Sequence, residues 1–318
     1  MSTVSARKKA PSWFPRFWAV VRYEMLWNIR KKKFLGILIA AFVIATLLLV
    51  VPPAISAYNG VKIAKNPDYA ITFGGSGFLF LLFAIATAVN SISSEFESGS
   101  IVPLVTKPVS RTMIFLGKVF GSFIILVVSY VVLYGYVTVA SVVLYGPQNS
   151  LQYIPLIVIG SLLSTFIWVS LLFAVGSISK NTIMTVIVAI ILFLALFFTG
   201  PIVSLYSQPS PTLDYVPGTG STGMLMITNS TSVSGGTDNT GTNLVNYALY
   251  PNANVTYYKY NLTATINARG SSGLQIEGVL YTESTGLVAL RSAVVAVVYT
   301  AAFFIIAWVA FKRSQILE

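Results

Sequence analysis

Residues 92–118 read ISSEFESGSIVPLVTKPVSRTMIFLGK, a polar, charge-bearing hairpin between two long apolar runs at 71–92 and 113–144. Apolar runs of that length, joined by a short charged connection, decide the fold class. A bilayer core of about 30 Å is crossed by a helix of about 20 mostly apolar residues, which satisfies its own backbone polar groups. Working outward, four further segments meet the requirement, at 34–57, 153–178, 183–206 and 287–311. Composition agrees, since 55% apolar and only 9% charged residues are far from the averages of a soluble domain. The expectation is an all-α polytopic membrane protein with six transmembrane helices, preceded by an interfacial N-terminal helix. Four regions follow: residues 1–33, spans one to five at 34–206, an extracytoplasmic insert at 207–286, and span six with its tail at 287–318.

The segments carry further expectations. The third is longer than one crossing needs, so its first turns lie at or below the interface, where Lys118 can snorkel its ammonium to water. Pro52 and Pro53 should kink or end the first span. Gly117 and Gly121 form a small-xxx-small pair that permits close helix approach. Before the first span, Phe14, Phe17, Trp18, Val21, Met25 and Ile29 fall on one helical stripe, with Arg16, Tyr23 and Arg30 opposite. That pattern reads as an amphipathic helix lying in the interface.

Orientation follows from the basic residues, which accumulate in cytoplasmic loops. Nine of the 20 lie before residue 34, and an even number of spans puts both termini on that side. Fifteen basic and four acidic residues then face the cytoplasm, which accounts for the whole net charge of +11. The basic balance is therefore a topology signal, not a nucleic-acid footprint. The N-terminal stretch has no cleavable apolar core, so no signal peptide is expected. Both termini should be cytoplasmic in a multi-pass plasma-membrane protein.

Residues 207–286 shift to Ser, Thr, Asn, Gly and Tyr without a helical apolar period. Their first part is turn-rich and reads as loosely ordered. Later, Tyr258, Tyr260, Leu262, Ala264 and Ile266 alternate with Lys259, Asn261, Thr263 and Thr265, and after the turn at 269–273 Leu274, Ile276 and Leu280 alternate again. A β-hairpin from about Tyr257 to Tyr281 is the economical reading. Three candidate glycosylation sequons, at Asn229, Asn254 and Asn261, all fall in this insert, though its richness in Asn, Ser and Thr makes them weak evidence.

The chemistry is defined largely by what is missing. The chain has no Cys and no His, which removes thiolate and imidazole metal sites, disulfides and histidine switching. None of the nine acidic residues falls inside a span, so the usual machinery of proton-coupled transport is missing. Polar groups within the spans, Asn90, Ser129, Tyr130, Thr138, Ser164, Thr165 and Ser170, read as interhelical hydrogen-bonding groups. Gly117–Lys118 invites a phosphate-loop reading, but Thr112 and Val119 stand where that loop needs Gly and Ser or Thr. No catalytic, cofactor-binding or metal site is expected in the chain, and any ATPase must come from a partner.

The hairpin fits such a partner. Glu95 and Glu97 stand just past span two, Gly99 and Ser100 break the run, and Pro108 and Arg111 precede span three. Its chemistry suits either an element pushed by a docked protein or an ordinary solvated loop. The string E-F-E-S-G-S at 95–100, Pro108 with V-S-R at 109–111, and L-G-K at 116–118 resembles the E-x-E-x-G-T, P-V-S-R, L-G-K pattern of ABC type-2 transporter permeases, with Ser100 for the usual Thr. The resemblance covers roughly 13–206 and 287–313, and the quoted pattern has no counterpart for the insert. It implies an exporter permease that works as a homo- or heterodimer with a second permease subunit and pairs with a separate ATP-binding cassette ATPase, where ATP and Mg would be held. It also implies that Glu95, Glu97, Gly99, Ser100, Pro108 and Arg111 form the element coupled to that ATPase, and that spans two and five line the path. A membrane scaffold displaying the outer domain, or a channel or carrier without an ATPase, remain the alternatives.

Overall fold

The computed structural model describes residues 12–30, 32–62, 65–73, 77–89, 91–98, 110–206, 211–218, 223–227, 230–234, 240–261 and 275–314. Helix α1 (Trp13–Arg30) leads into α2 (Lys32–Tyr58), the short α3 (Tyr69–Thr72), α4 (Gly77–Ala84), a π-helical turn (Ile85–Val89) and α5 (Ser93–Glu97). Then come α6 (Arg111–Tyr145), α7 (Ile154–Ser179) and α8 (Thr182–Tyr206). The insert holds β1 (Gly223–Ile227), β2 (Ser230–Ser234), α9 (Thr240–Leu249), β3 (Asn254–Asn261) and β4 (Gln275–Ser284), and α10 (Thr285–Arg313) closes the chain. Among the described residues six helical segments are long and apolar enough to cross a membrane: α2, the α4–α5 run, α6, α7, α8 and α10.

Helix α7 is the axis of the bundle. Its span is 78% buried, against 22% for α2 and 17% for α8, and α10, α9, α4 and α8 all pack on it. Two tyrosines of α6 reach it through hydroxyl pairs, Tyr130 to Thr165 at 2.5 Å and Tyr134 to Ser161 at 2.7 Å. Both tyrosines are fully enclosed, so each phenol needs that partner to offset its desolvation. Of the other polar groups in the spans, Thr138 and Ser170 bond to carbonyls of their own helices, and Asn90 lies outside the described residues. Serine caps start two spans: Ser110 accepts from the Met113 N–H and Ser284 from the Leu287 N–H.

The two prolines neither end nor interrupt α2, which continues to Tyr58. Proline withholds the N–H that would bond to the carbonyl four residues earlier. Here those carbonyls belong to Leu48 and Leu49, and both find side-chain donors. Tyr69 donates to Leu48 O at 3.4 Å and Tyr145 donates to Leu49 O at 3.0 Å, with the two phenol rings stacked 4.0 Å apart. Distant tyrosines thus supply what the local sequence lacks.

Among its described residues the insert holds a four-stranded antiparallel sheet, in the order β2-β1-β3-β4, and α9, which packs on α7 and α10. The stretch read as loosely ordered therefore contains β2 and the start of α9. The expected hairpin is β3–β4, pairing Tyr257 with Tyr281, though two register shifts, after Tyr257 and after Lys259, interrupt the alternation. At its root Val255 and Tyr257 are buried, the parity opposite to the face expected to pack. The side chains of 258–261, the turn at 269–273 and Leu262, Ala264 and Ile266 lie outside what is described. Burial pushes the Tyr257 phenol above its usual range, aided by the Asp214 carboxylate. That carboxylate and Glu283 hold Arg291 of α10 at 2.6 and 2.8 Å, fastening the sheet to span six.

Helix α9 escaped the sequence reading because the face it buries is small and polar: Thr240, Gly241, Asn243, Val245 and Asn246. Its docking depends on two glycines. A Cβ at Gly160 of α7 would collide with the backbone of Gly241, and one at Gly241 would stand 2.9 Å from Ile157 O. The insert thus reaches back into the bundle.

Candidate functional site: an ion triad at the root of the hairpin

At the end of the bundle away from the sheet, α1 runs in the same direction as the first turns of α6. Val20 lies against Gly117 and Glu24 against Gly121, each so close that a Cβ on the glycine would force a shift. The small-residue pair is therefore the seat of α1. The helix turns Phe17, Val21, Glu24 and Asn28 to that seat, while Phe14, Trp18 and Ile29 of the expected stripe stay exposed. Through that face the helix packs along α6. The cause is the i, i+4, i+7, i+11 spacing, which fits a helix partner.

That face carries a carboxylate into the contact. Lys118 Nζ lies 2.5 Å from Glu24 Oε1 and 2.6 Å from Glu95 Oε2, and Ser91 donates to Glu24 Oε2 at 3.3 Å. Glu24 and Lys118 are 0% exposed and Glu95 is 3% exposed. Lys118 therefore does not snorkel to water. It bridges two acids from α1 and α5 inside the protein. Burial lifts the Glu24 carboxyl above its usual range; Lys118 opposes the shift and the Glu95 carboxylate adds to it.

The other hairpin residues are tied to further helices. Glu97 accepts from the Thr182 N–H at 3.2 Å, which sets a carboxylate at the positive N-terminus of α8. Phe96 packs edge-on against Phe311 of α10, at 6.0 Å between ring centres, and the Lys180 ammonium lies over its ring at 5.8 Å. Arg111 donates to the carbonyls of Lys312 and Ser314 at 3.0 and 3.2 Å, closing the C-terminus of α10. Gly99, Ser100 and Pro108 lie outside the described residues. Of the hairpin residues singled out in the sequence, Glu95 faces inward, whereas Glu97 is exposed at its rim. The residues that sequence reading missed are Glu24, Ser91 and the bridging role of Lys118. One signal was available: an acid on the face set by Phe17 and Val21.

Among the described residues no group of three or more acids could hold a metal ion. In the insert, Asn254 is exposed at the start of β3, Asn261 ends that strand and Asn229 lies outside the described residues. Span two, expected at the path, is 76% buried within this chain, whereas spans one, five and six are only 22%, 17% and 22% buried. Uniform hydropathy cannot say which apolar helix meets its own chain and which meets another.

Six apolar helices, with a helix and a charged hairpin strapped to one end, make this the fold of a multi-pass membrane protein. The ABC-2 family transporter protein family matches residues 18–316, and the chain belongs to that family. The match runs through the insert, which therefore lies within the family's extent even though the short motif pattern omits it. No curated protein matches the chain.

Proposed function

We propose that the chain is the permease subunit of an ATP-driven exporter, working as a dimer with a cassette ATPase supplied by a separate subunit that holds ATP and Mg. The observation that carries this reading is the wiring of the hairpin. Through Glu95, Phe96, Glu97 and Arg111 it touches α6, α8 and α10 at one end of the bundle, and by way of Lys118 it reaches Glu24 of α1. A docked protein that moves the hairpin displaces three spans and the N-terminal helix together. Nucleotide binding by the ATPase then shifts the population between inward- and outward-facing states. The second permease subunit covers part of the faces that spans one, five and six leave open.

Glu97→Lys tests the coupling. It places a cation at the N-terminus of α8 and reverses the charge at the exposed rim. Transport-linked ATP hydrolysis of the assembled complex should fall about tenfold, within the usual range of coupling energies, while the permease still inserts. Full assembly with full substrate-stimulated hydrolysis would reduce the hairpin to a solvated loop. Failure of an ATPase to co-purify with the wild-type chain would favour the scaffold or the channel.

The hairpin end should face the cytoplasm, as the basic residues demand. Because the chain lacks Cys, single cysteines report sidedness. Ser98→Cys should resist an impermeant thiol reagent applied outside intact cells, and Val279→Cys, at a position 61% exposed on β4, should label. The reverse pattern overturns the orientation.

A further inference from the structure

The triad at the root of the hairpin sets one cation between two acids. Lys118 Nζ meets Glu24 Oε1 and Glu95 Oε2, and all three side chains are buried. With both carboxylates ionised, the cluster would carry a net negative charge out of reach of water. Two acids sharing one enclosed site avoid that cost when one of them keeps its proton. The contacts of Glu24 suit it for the part. Its Oε1 accepts from Lys118, while its Oε2 lies 3.3 Å from Ser91 Oγ, a hydroxyl that accepts as readily as it donates. A proton on Oε2 therefore has an acceptor in place. Burial raises the Glu24 carboxyl against the pull of Lys118, and the Glu95 carboxylate raises it further. Helix α1 packs on α6 and α2, and the described cation of α2, Lys32, is exposed. Beside Glu24 on α1, the Tyr23 phenol is lifted above its usual range by burial and then by the two acids, so it stays neutral.

We infer that Glu24 is a proton-binding site, holding a proton on Oε2 while α1 is docked and giving it to cytoplasmic water when α1 and the hairpin part. In that step the Oε2–H bond breaks, the proton passes to water and the hydrated carboxylate keeps the electron pair. Linkage fixes the sign. The docked carboxyl holds its proton more tightly than the hydrated one, so docking is strongest at low pH and weakens as pH rises through the docked value. An acid cytoplasm thus holds α1 to the hairpin and an alkaline one loosens it. The consequence for transport rests on the hairpin being the coupling element, whereas the proton site does not.

The full chain in nanodiscs tests the site without an ATPase. Infrared difference spectra between about pH 6 and about pH 9 should show a buried carboxylic-acid C=O band that is lost on the alkaline side. Glu24→Gln should remove that band. Glu95→Gln should remove it from the acid spectrum as well, because the remaining acid then has Lys118 to itself and ionises. Release is read from Val21→Cys, on the buried face of α1. Its labelling by a soluble maleimide is divided by that of the same cysteine beside Glu24→Gln, which cancels the ionisation of the thiol. The ratio should rise with pH, by up to ~tenfold per pH unit for one proton released. Absence of an acid band, or a band that survives Glu24→Gln, overturns the proton site. A band that survives Glu95→Gln overturns the sharing of one proton between two acids, and a labelling ratio flat in pH overturns the link between the proton and the docking of α1.

Discussion

Lys118→Met should lower stability by about 3–5 kcal/mol, the usual cost of breaking a buried ion pair from one side. Methionine fills much of the same space, but the Glu24 and Glu95 carboxylates stay enclosed without a cation. The loss should depend on pH with a definite sign. An acid whose pKa is raised in the folded state holds its proton more tightly there, so stability falls as pH rises from the unfolded carboxyl value through the folded one. The deficit of Lys118→Met should therefore be small near pH 5 and large at pH 8. Adding Glu24→Gln should recover part of it by removing one of the two stranded charges. Thermal unfolding of the purified protein at the two pH values checks this. A deficit that is the same at both, or unaffected by Glu24→Gln, means that Lys118 acts through packing alone.

Gly160→Val should detach the outer insert from the bundle. The new side chain meets the backbone of Gly241, which cannot rotate away as a side-chain tip could, so the cost should reach or exceed the ~1–3 kcal/mol typical of overpacking. The insert should then be cut by protease added outside while the spans remain protected. Gly135→Ala is the matched control, because nothing lies within 4 Å of a Cβ there. Exchanging glycine for alanine in a helix is favourable by up to ~1 kcal/mol, so the control should be no less stable than wild type. Equal protease sensitivity of the two variants would show that α9 does not seat on α7.

The spans were legible because length and hydropathy are local properties. A run such as 153–178 can do little else than cross the bilayer, and α7 appears there. The β3–β4 hairpin was legible for a similar reason, from alternation around Tyr258. What stayed hidden depends on residues distant in sequence. Helix α9 buries Thr240, Gly241 and Asn243, which carry no apolar period, and its docking is fixed by Gly160 some 80 residues earlier. Likewise Lys118 read as a snorkelling cation because its partners come from α1 and α5. For the candidate site, the sequence pointed to the hairpin and to its motif residues. It could not show that Glu95 turns inward, since an acid beside an acid looks solvated until a buried lysine stands opposite.

The proline pair in α2 has a consequence for biogenesis. The Leu49 carbonyl is left bare by Pro53, and its donor, Tyr145, is the last residue of the third span. The Leu48 donor, Tyr69, follows the first span but stacks on Tyr145. When the first span leaves the insertion machinery, neither carbonyl can be served from within its own helix, and a bare carbonyl in hydrocarbon costs several kcal/mol. The outer end of the first span therefore remains unfinished, held near water or near the translocon, until the third span has arrived and delivered its tyrosine. Chain order makes the first helix to enter the membrane one of the later ones to settle in it.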